Sequence, residues 1–270
     1  MPNLILLALA PVFLLCIGAE AWYFQRIGRA SYTWRDTASN AALALMQQAG
    51  GLVAAAPVAV VAFMLYRHRL FDIPTTWWSL ALLVVLQDLS YYVSHRTSHH
   101  VRWLWASHVT HHSSDRFNLS TAFRQSLTYP VSGTWVFWLP LAWIGFHPAQ
   151  IVTMVALNLA YQFFVHTEAI GRLGPLEAIF NTPSHHRVHH ACNARYLDRN
   201  FAGIFIIWDR LFGTFEPESP TVPCTYGLVH PVRTHNPLIL TFHEWRALLT
   251  DLRQKRGIGA RLRVLFGPPS

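Results

Sequence analysis

The chain has 270 residues, of which 52% are hydrophobic and only 13% charged, with a mean hydropathy of +0.25. That balance excludes an ordinary water-soluble domain and a disordered chain, and it points to membrane embedding. The net charge of +8 comes almost wholly from arginines scattered among apolar segments, with Lys255 the only lysine, which argues against a nucleic-acid partner and for anionic lipid at a membrane surface.

Leu4 to Phe24 is apolar except for Glu20 and reaches the roughly 20 residues needed to cross a bilayer. Leu4 to Cys16 followed by Ala19-Glu20-Ala21 also resembles the core and cleavage site of a signal peptide. However, no Lys or Arg precedes the run, whereas Arg26, Arg29 and Arg35 follow it, which favours a retained first helix. Ala41 to Tyr66 is a second apolar segment, with Gly50, Gly51 and Pro57 as close-packing or kinking points. A polar turn from Arg67 to Pro74 leads into a third segment, Trp77 to Val93, which runs without a break into a histidine-rich stretch ending at His112.

After the polar Phe117 to Thr128, two apolar arms, Tyr129 to Phe146 and Ala149 to Val165, predict a helical hairpin whose turn holds His147, not expected to be a ligand. Beyond Val165 no stretch is long enough to span; Ile204 to Trp208 is expected to pack on the core or the membrane face. The three cysteines, Cys16, Cys192 and Cys224, are too few and too dispersed for a disulfide framework or a cysteine metal site. No polar linker or whole-fold repeat divides the chain, so residues 1–270 read as a single domain. The fold class is all-α, an integral, multi-pass membrane helical bundle of about four or five segments under a cytoplasmic histidine-rich cap. The positive-inside tendency places the N-terminus and the Arg67 to Asp72 turn outside, and Ser113, Asn193 and the C-terminus in the cytoplasm; Arg67 and Arg69 are misfits.

The histidines carry the chemistry. His95 and His99 are four apart, and His108, His111 and His112 share the HxxHH spacing of His186, His189 and His190, so on helices each set lies on one face. His166, in YQFFVHTE, emerges at the same membrane boundary. Neutral imidazole is a common ligand of zinc, copper, iron and nickel. Nine candidates exceed the three or four protein ligands of one zinc, so two ions are expected. Glu and ExxH motifs of a carboxylate-bridged bundle are missing, which indicates an all-histidine site. Asp88, Tyr92, His95 and His99 fall on one helical face, so Asp88 is expected to accept the second N–H of a ligating imidazole; His100 and His185, adjacent to better-placed neighbours, are expected either to support the ligands or to coordinate themselves.

HRTSH, HVTHH and HHRVHH, in this order around a membrane hairpin, resemble the fatty acid hydroxylase and sterol desaturase superfamily of membrane di-iron oxygenases. HHSSDRFNLSTAFRQS, FNTPSHHRVHH, YLDRNFAG and WDRLFGTF are most similar to its alkylglycerol monooxygenase-like branch. The resemblance covers residues 88–215 as the catalytic core. It implies an O2-dependent di-iron lipid monooxygenase, with two iron ions held by His95, His99, His108, His111, His112, His166, His186, His189 and His190. Asp88, His100, His185, Asn181 and Asp198 become the candidate catalytic residues, with Asn118, Arg124, Gln125, Tyr196 and Asn200 ordering the ligand shell or the head-group entrance. The implied substrate is a membrane lipid, hydroxylated at a C–H bond, by ether cleavage or by acyl or sterol-like hydroxylation or desaturation. Electrons would come from a separate donor or a pterin such as tetrahydrobiopterin. The chain departs from the pattern at Gln162, where related hydroxylases carry the first histidine of HxxxH, and at His100, where the branch carries an acidic residue. From the histidines alone, the alternative is a zinc-dependent membrane hydrolase. A metal transporter is disfavoured because the clusters lie at span ends. No feature of the sequence specifies an oligomeric state.

Overall fold

The computed structural model describes residues 2–269. It is all-helical, with isolated bridges but no strand among the described residues. Four long helices come first or carry the bundle: α1 (Pro2–Arg26), α2 (Trp34–Arg67), α3 (Trp77–His100) and, later, α7 (Pro148–Val165). Between α3 and α7 lie α4 (Arg102–His112), α5 (Tyr129–Ser132) and α6 (Leu139–Ile144). The last third contains α8 (Pro183–His190), α9 (Ile207–Phe212), α10 (Pro237–Gln254) and α11 (Ile258–Phe266).

Ile5–Arg26, Trp34–Arg67 and Pro148–Val165 are long and apolar enough to cross a membrane. Their outer faces leave large apolar side chains exposed, among them Leu15, Leu45, Leu52 and Val53, as helices facing hydrocarbon require. α3 is as long as a span but carries Gln87, Asp88, His95 and His99 on its buried side. Local signals set the helix starts. Thr33 caps α2, reciprocal Thr76 and Ser79 bonds box the start of α3, and Pro148 opens α7 behind a box of His147 and Gln150. His147 therefore serves as a cap.

The expected hairpin has only one continuous arm. Tyr129 to Phe146 breaks into α5, a 3-10 turn at Thr134–Trp138, and α6. Gly133 sits at φ 82°, which ends α5, and Pro140 cannot supply the N–H that a continuous helix needs. The broken arm folds back so that Trp143 and Ile144 carbonyls accept from the Leu70 and Phe71 amides.

α1, α3 and α7 run toward one end of the bundle, and α2 runs the opposite way. The end of α2 and the start of α7 meet where the His147 ring packs edge-on against Phe63 and Tyr66 at 5.5 and 5.2 Å. At the opposite end, Glu20 of α1 accepts from the Leu119 amide at 2.8 Å and from the Thr167 hydroxyl just past α7, and Asn40 of α2 donates to Ser120. The last turns of α3 and α7 finish at this same end, and α4 and α8 lie across it. One end of the bundle thus gathers every histidine of the three motifs.

Candidate metal centre

Nine histidines from α3, α4, α8 and the residue after α7 form two adjacent groups, each 8% exposed or less. His95, His99, His108, His112 and His189 make the first; His111, His166, His186 and His190 make the second. Within each group one ring nitrogen per residue lies within 4.8 Å of all the others. The HxxHH motif of α4 is split between them: one turn of helix separates His108 and His112, which face the first group, while His111 turns to the second. The equivalent motif of α8 divides in the same way, His189 to the first group and His186 with His190 to the second. His112 and His190 stack at 4.5 Å between centroids where the groups abut.

Six of the nine rings are held from behind. The Nδ1 atoms of His95, His111, His166 and His189 lie 2.8, 3.1, 2.6 and 2.9 Å from the carbonyl oxygens of Phe201, Arg124, Gln162 and Arg199. A carbonyl only accepts, so each Nδ1 carries the hydrogen and each Nε2 presents a lone pair inward. His99 donates Nδ1–H to the Asp198 carboxylate at 3.2 Å, and His108 Nδ1 meets the Tyr129 hydroxyl at 3.0 Å.

This arrangement fits a metal and little else. The Nε2 atoms of His111 and His166 are 3.2 Å apart although both are acceptors. The Nε2 atoms of His99, His189 and His190 are buried with no partner at all. Converging lone pairs of this kind need a cation between them. A shared proton is a poor substitute: burial, and then the charges of neighbouring imidazoles, push the α4 and α8 rings His108, His111, His112, His186 and His190 well below the ordinary histidine value. Neutral, dry imidazoles with a fixed tautomer are the donor set that transition metals take.

The supporting side chains differ in part from expectation. Asp88 accepts from the Ile204 and Phe205 amides, the Trp208 indole and Asn158, at 2.7 to 3.0 Å, and touches no imidazole. It pins the 204–208 turn to α3 and α7, and the expected bond to a ligating ring is made instead by the Phe201 carbonyl. His100 is exposed and bonds back to the Arg96 carbonyl, because one residue beyond His99 on a helix faces away. His185 is buried outside both groups, against Phe215 at 5.4 Å. Asn181 donates to the Ala202 and Gly203 carbonyls and so shapes the same turn as Asp88. Of the five candidate catalytic residues, only Asp198 reaches one of the nine rings. Gln162 contributes its backbone carbonyl to His166, while its side chain accepts from Tyr91 at 2.7 Å.

The loop from Tyr196 to Phe201 holds three of the five rings of the first group. Asp198 and Asn200 both adopt φ 56°, a left-handed conformation that Asp and Asn tolerate best. Their alternation turns the Asp198 carboxylate and the Arg199 and Phe201 carbonyls toward three different histidines, while Asn200 donates to the His185 and Glu216 carbonyls. The second group rests on Arg124, whose carbonyl holds His111. Its buried guanidinium donates to Asp36 at 3.1 Å, Asn40 at 2.8 Å and Ser113 at 2.9 Å. Asp36 and Asn40 were not among the expected site residues. Their four-residue spacing in the polar first turns of an otherwise apolar helix was the legible signal.

Residues 80–214 match the family model described as fatty acid hydroxylase. The chain is 46% identical over 206 residues to the human (Homo sapiens) alkylglycerol monooxygenase, covering 75% of this chain and 45% of that protein. It is 47% identical to the Danio rerio protein of the same name, over 74% of this chain and 43% of that one. The Rhizobium tropici ornithine lipid hydroxylase OlsE is 27% identical over 73% of this chain and 64% of its own length. This chain therefore spans less than half the length of the animal relatives. No solved structure matches it. With half its length, including all nine converging histidines, inside the matched region, the chain belongs to the fatty acid hydroxylase family.

Proposed function

We propose that the protein is a membrane-bound di-iron oxygenase that hydroxylates a lipid C–H bond, with residues 88–215 as its catalytic core and the two histidine groups as its two iron sites. The observation that carries this is the pair of adjacent, buried, all-imidazole groups of five and four, since nine ligands suit two ions of high coordination number better than a tetrahedral hydrolytic zinc. Two bound irons would supply reductive activation of O2 and oxidation of the C–H bond. The chain's own residues do the rest. Backbone carbonyls and Asp198 fix the tautomers, burial keeps the rings neutral and water out, and the Arg124 and Asp88 networks hold the surrounding loops. Nearness of the groups to the ends of α3 and α7 lets a lipid chain approach from the bilayer.

The substrate assignment rests on the two relatives named alkylglycerol monooxygenase. It implies oxidation of the carbon beside an ether oxygen, whose lone pair weakens that C–H bond; the hydroxylated product is a hemiacetal that splits into a fatty aldehyde and a glycerol derivative. The electron donor is external, a separate protein or tetrahydrobiopterin, and the histidine end of the bundle faces the cytoplasm. Purified iron-loaded protein is given O2, a reductant with and without tetrahydrobiopterin, and an alkylglycerol or a matching acyl lipid. Aldehyde released from the ether supports the full reading. Turnover of the acyl lipid alone replaces the substrate but keeps the oxygenase, and no O2 uptake with any lipid overturns both. For the metal sites, His189→Ala and His111→Ala should each lower metal occupancy and abolish turnover, and two tightly bound metals in His189→Ala would contradict the ligand assignment.

A further inference from the structure

The tail beyond the family-matched region contains a surface that none of the metal chemistry uses. From Leu252 to the end of the chain there are five cations, Arg253, Lys255, Arg256, Arg261 and Arg263, and no Asp or Glu. All five are exposed, and none forms an ion pair among the described residues. On α11, Ile258, Leu262 and Phe266 recur every four residues and are 79%, 46% and 61% exposed, whereas Val264 and Leu265 of the same helix are partly covered. At 3.6 residues per turn they form one stripe, with Arg261 on one flank and Arg263 on the other. The opposite side, Ala260 and Val264, lines a cavity with Arg102 and so faces the body of the protein, and Lys255 and Arg263 border that cavity as well.

The position of the tail explains this pattern. Pro237, at the start of α10, borders the same groove as Trp34, Arg35 and Ala38 at the first turns of α2. At its other end, the Gly267 carbonyl accepts from the Arg102 amide at 3.0 Å, two residues past the end of α3. The pair α10 and α11 is therefore tethered at both ends where membrane-directed helices finish. α10 also leaves Leu238, Phe242 and Leu249 exposed on one side. An apolar stripe bracketed by arginines, attached at the mouth of spanning helices, is the pattern of a helix lying in a bilayer interface, and a cluster of unpaired cations there complements acidic head groups.

We propose that α11, with the basic segment that precedes it, docks on the surface of the same bilayer and binds anionic phospholipid head groups. The inference depends on the membrane placement of α2 and α3 and not on the reaction at the histidines. It is tested on the full chain, with Cys16, Cys192 and Cys224 replaced by serine and Leu262→Cys carrying an environment-sensitive fluorophore, in phosphatidylcholine nanodiscs with or without phosphatidylglycerol. Nitroxide-labelled lipid should quench the probe while aqueous iodide does not. Lipid quenching should strengthen about twofold or more with phosphatidylglycerol, and that gain should vanish in high salt and in the variant R253Q/K255Q/R256Q/R261Q/R263Q. Iodide quenching without lipid quenching would place the stripe in water and overturn the proposal. Shielding from both quenchers would mean that protein, such as a second copy, covers it. Lipid quenching indifferent to phosphatidylglycerol and to the five-glutamine variant would remove the head-group assignment. None of these readouts passes through the metal centre.

Discussion

His99 differs from its eight companions in being held by a carboxylate. The bond to Asp198 at 3.2 Å is charge-assisted and makes that imidazole a stronger donor than those held by carbonyls. Asp198→Leu should weaken metal binding by roughly 10- to 100-fold, the usual cost of losing a partner behind a ligand, measured by competition with a chromogenic chelator. Asp198→Asn keeps an acceptor oxygen and tolerates φ 56°, so its loss should be smaller; equal losses in both variants would mean that the carboxylate charge, not an acceptor as such, holds His99, and no loss in either would remove the role of Asp198. Arg124 makes the complementary case for the second group. Its side chain is 1% exposed and that of its partner Asp36 3%. Arg124→Met should cost about 3–5 kcal/mol by stranding a buried carboxylate, and adding Asp36→Asn should restore part of it. Thermal unfolding in detergent reads both. No restoration in the double variant would mean that the lost contacts to Asn40 and Ser113 dominate.

At the scale of elements, the loop 196–205 acts as a clamp between the first histidine group and the helices α3 and α7. Its front half holds three imidazoles, and its rear is gripped by Asp88, Asn158 and Asn181. Gly203 is where the two layers touch. A Cβ there would lie 2.7 Å from both the Asn158 and Asp88 carboxamide and carboxylate oxygens, too close for any side chain. Gly203→Ala should cost about 1–3 kcal/mol as an overpacking change and should lower metal retention by the five-histidine group more than by the other. Equal metal loss from both groups would show that the clamp is not selective. The motif spacing in α4 and α8 was legible because a helix repeats every 3.6 residues and puts HxxHH on one side. The division of each motif between two groups was not, since it depends on how α4 and α8 face each other.

For the whole molecule, the end of α1 and the start of α2 bring Arg26, Arg29 and Arg35 to the histidine end, together with the basic tail. Arg69, one of the two misfits at the far end, is partly neutralised by Asp72 and lies 4.7 Å above the Tyr66 ring. Orientation should follow that asymmetry. A cysteine introduced beside Asn193 should react with membrane-impermeant reagent only after the membrane is opened from the cytoplasmic side, and one in the Arg67 to Asp72 turn should react from outside. Labelling near Asn193 from outside would reverse the topology.

Sequence alone determined that this chain is helical and where its apolar segments lie, and ligand spacing singled out eight histidines with His166 as a ninth candidate, because hydrophobic run length and ligand spacing are local properties of the chain. It also pointed to the family through short motifs. Only the tertiary structure decided that Asp88 grips a turn rather than a ring, that His100 faces away, and that Tyr129 to Phe146 is a broken arm. The same holds for the five-and-four partition and for the carbonyls of Arg124, Gln162, Arg199 and Phe201 that aim the rings. Every residue has a carbonyl, so the sequence cannot mark the four that matter; they are selected by where distant segments of backbone meet.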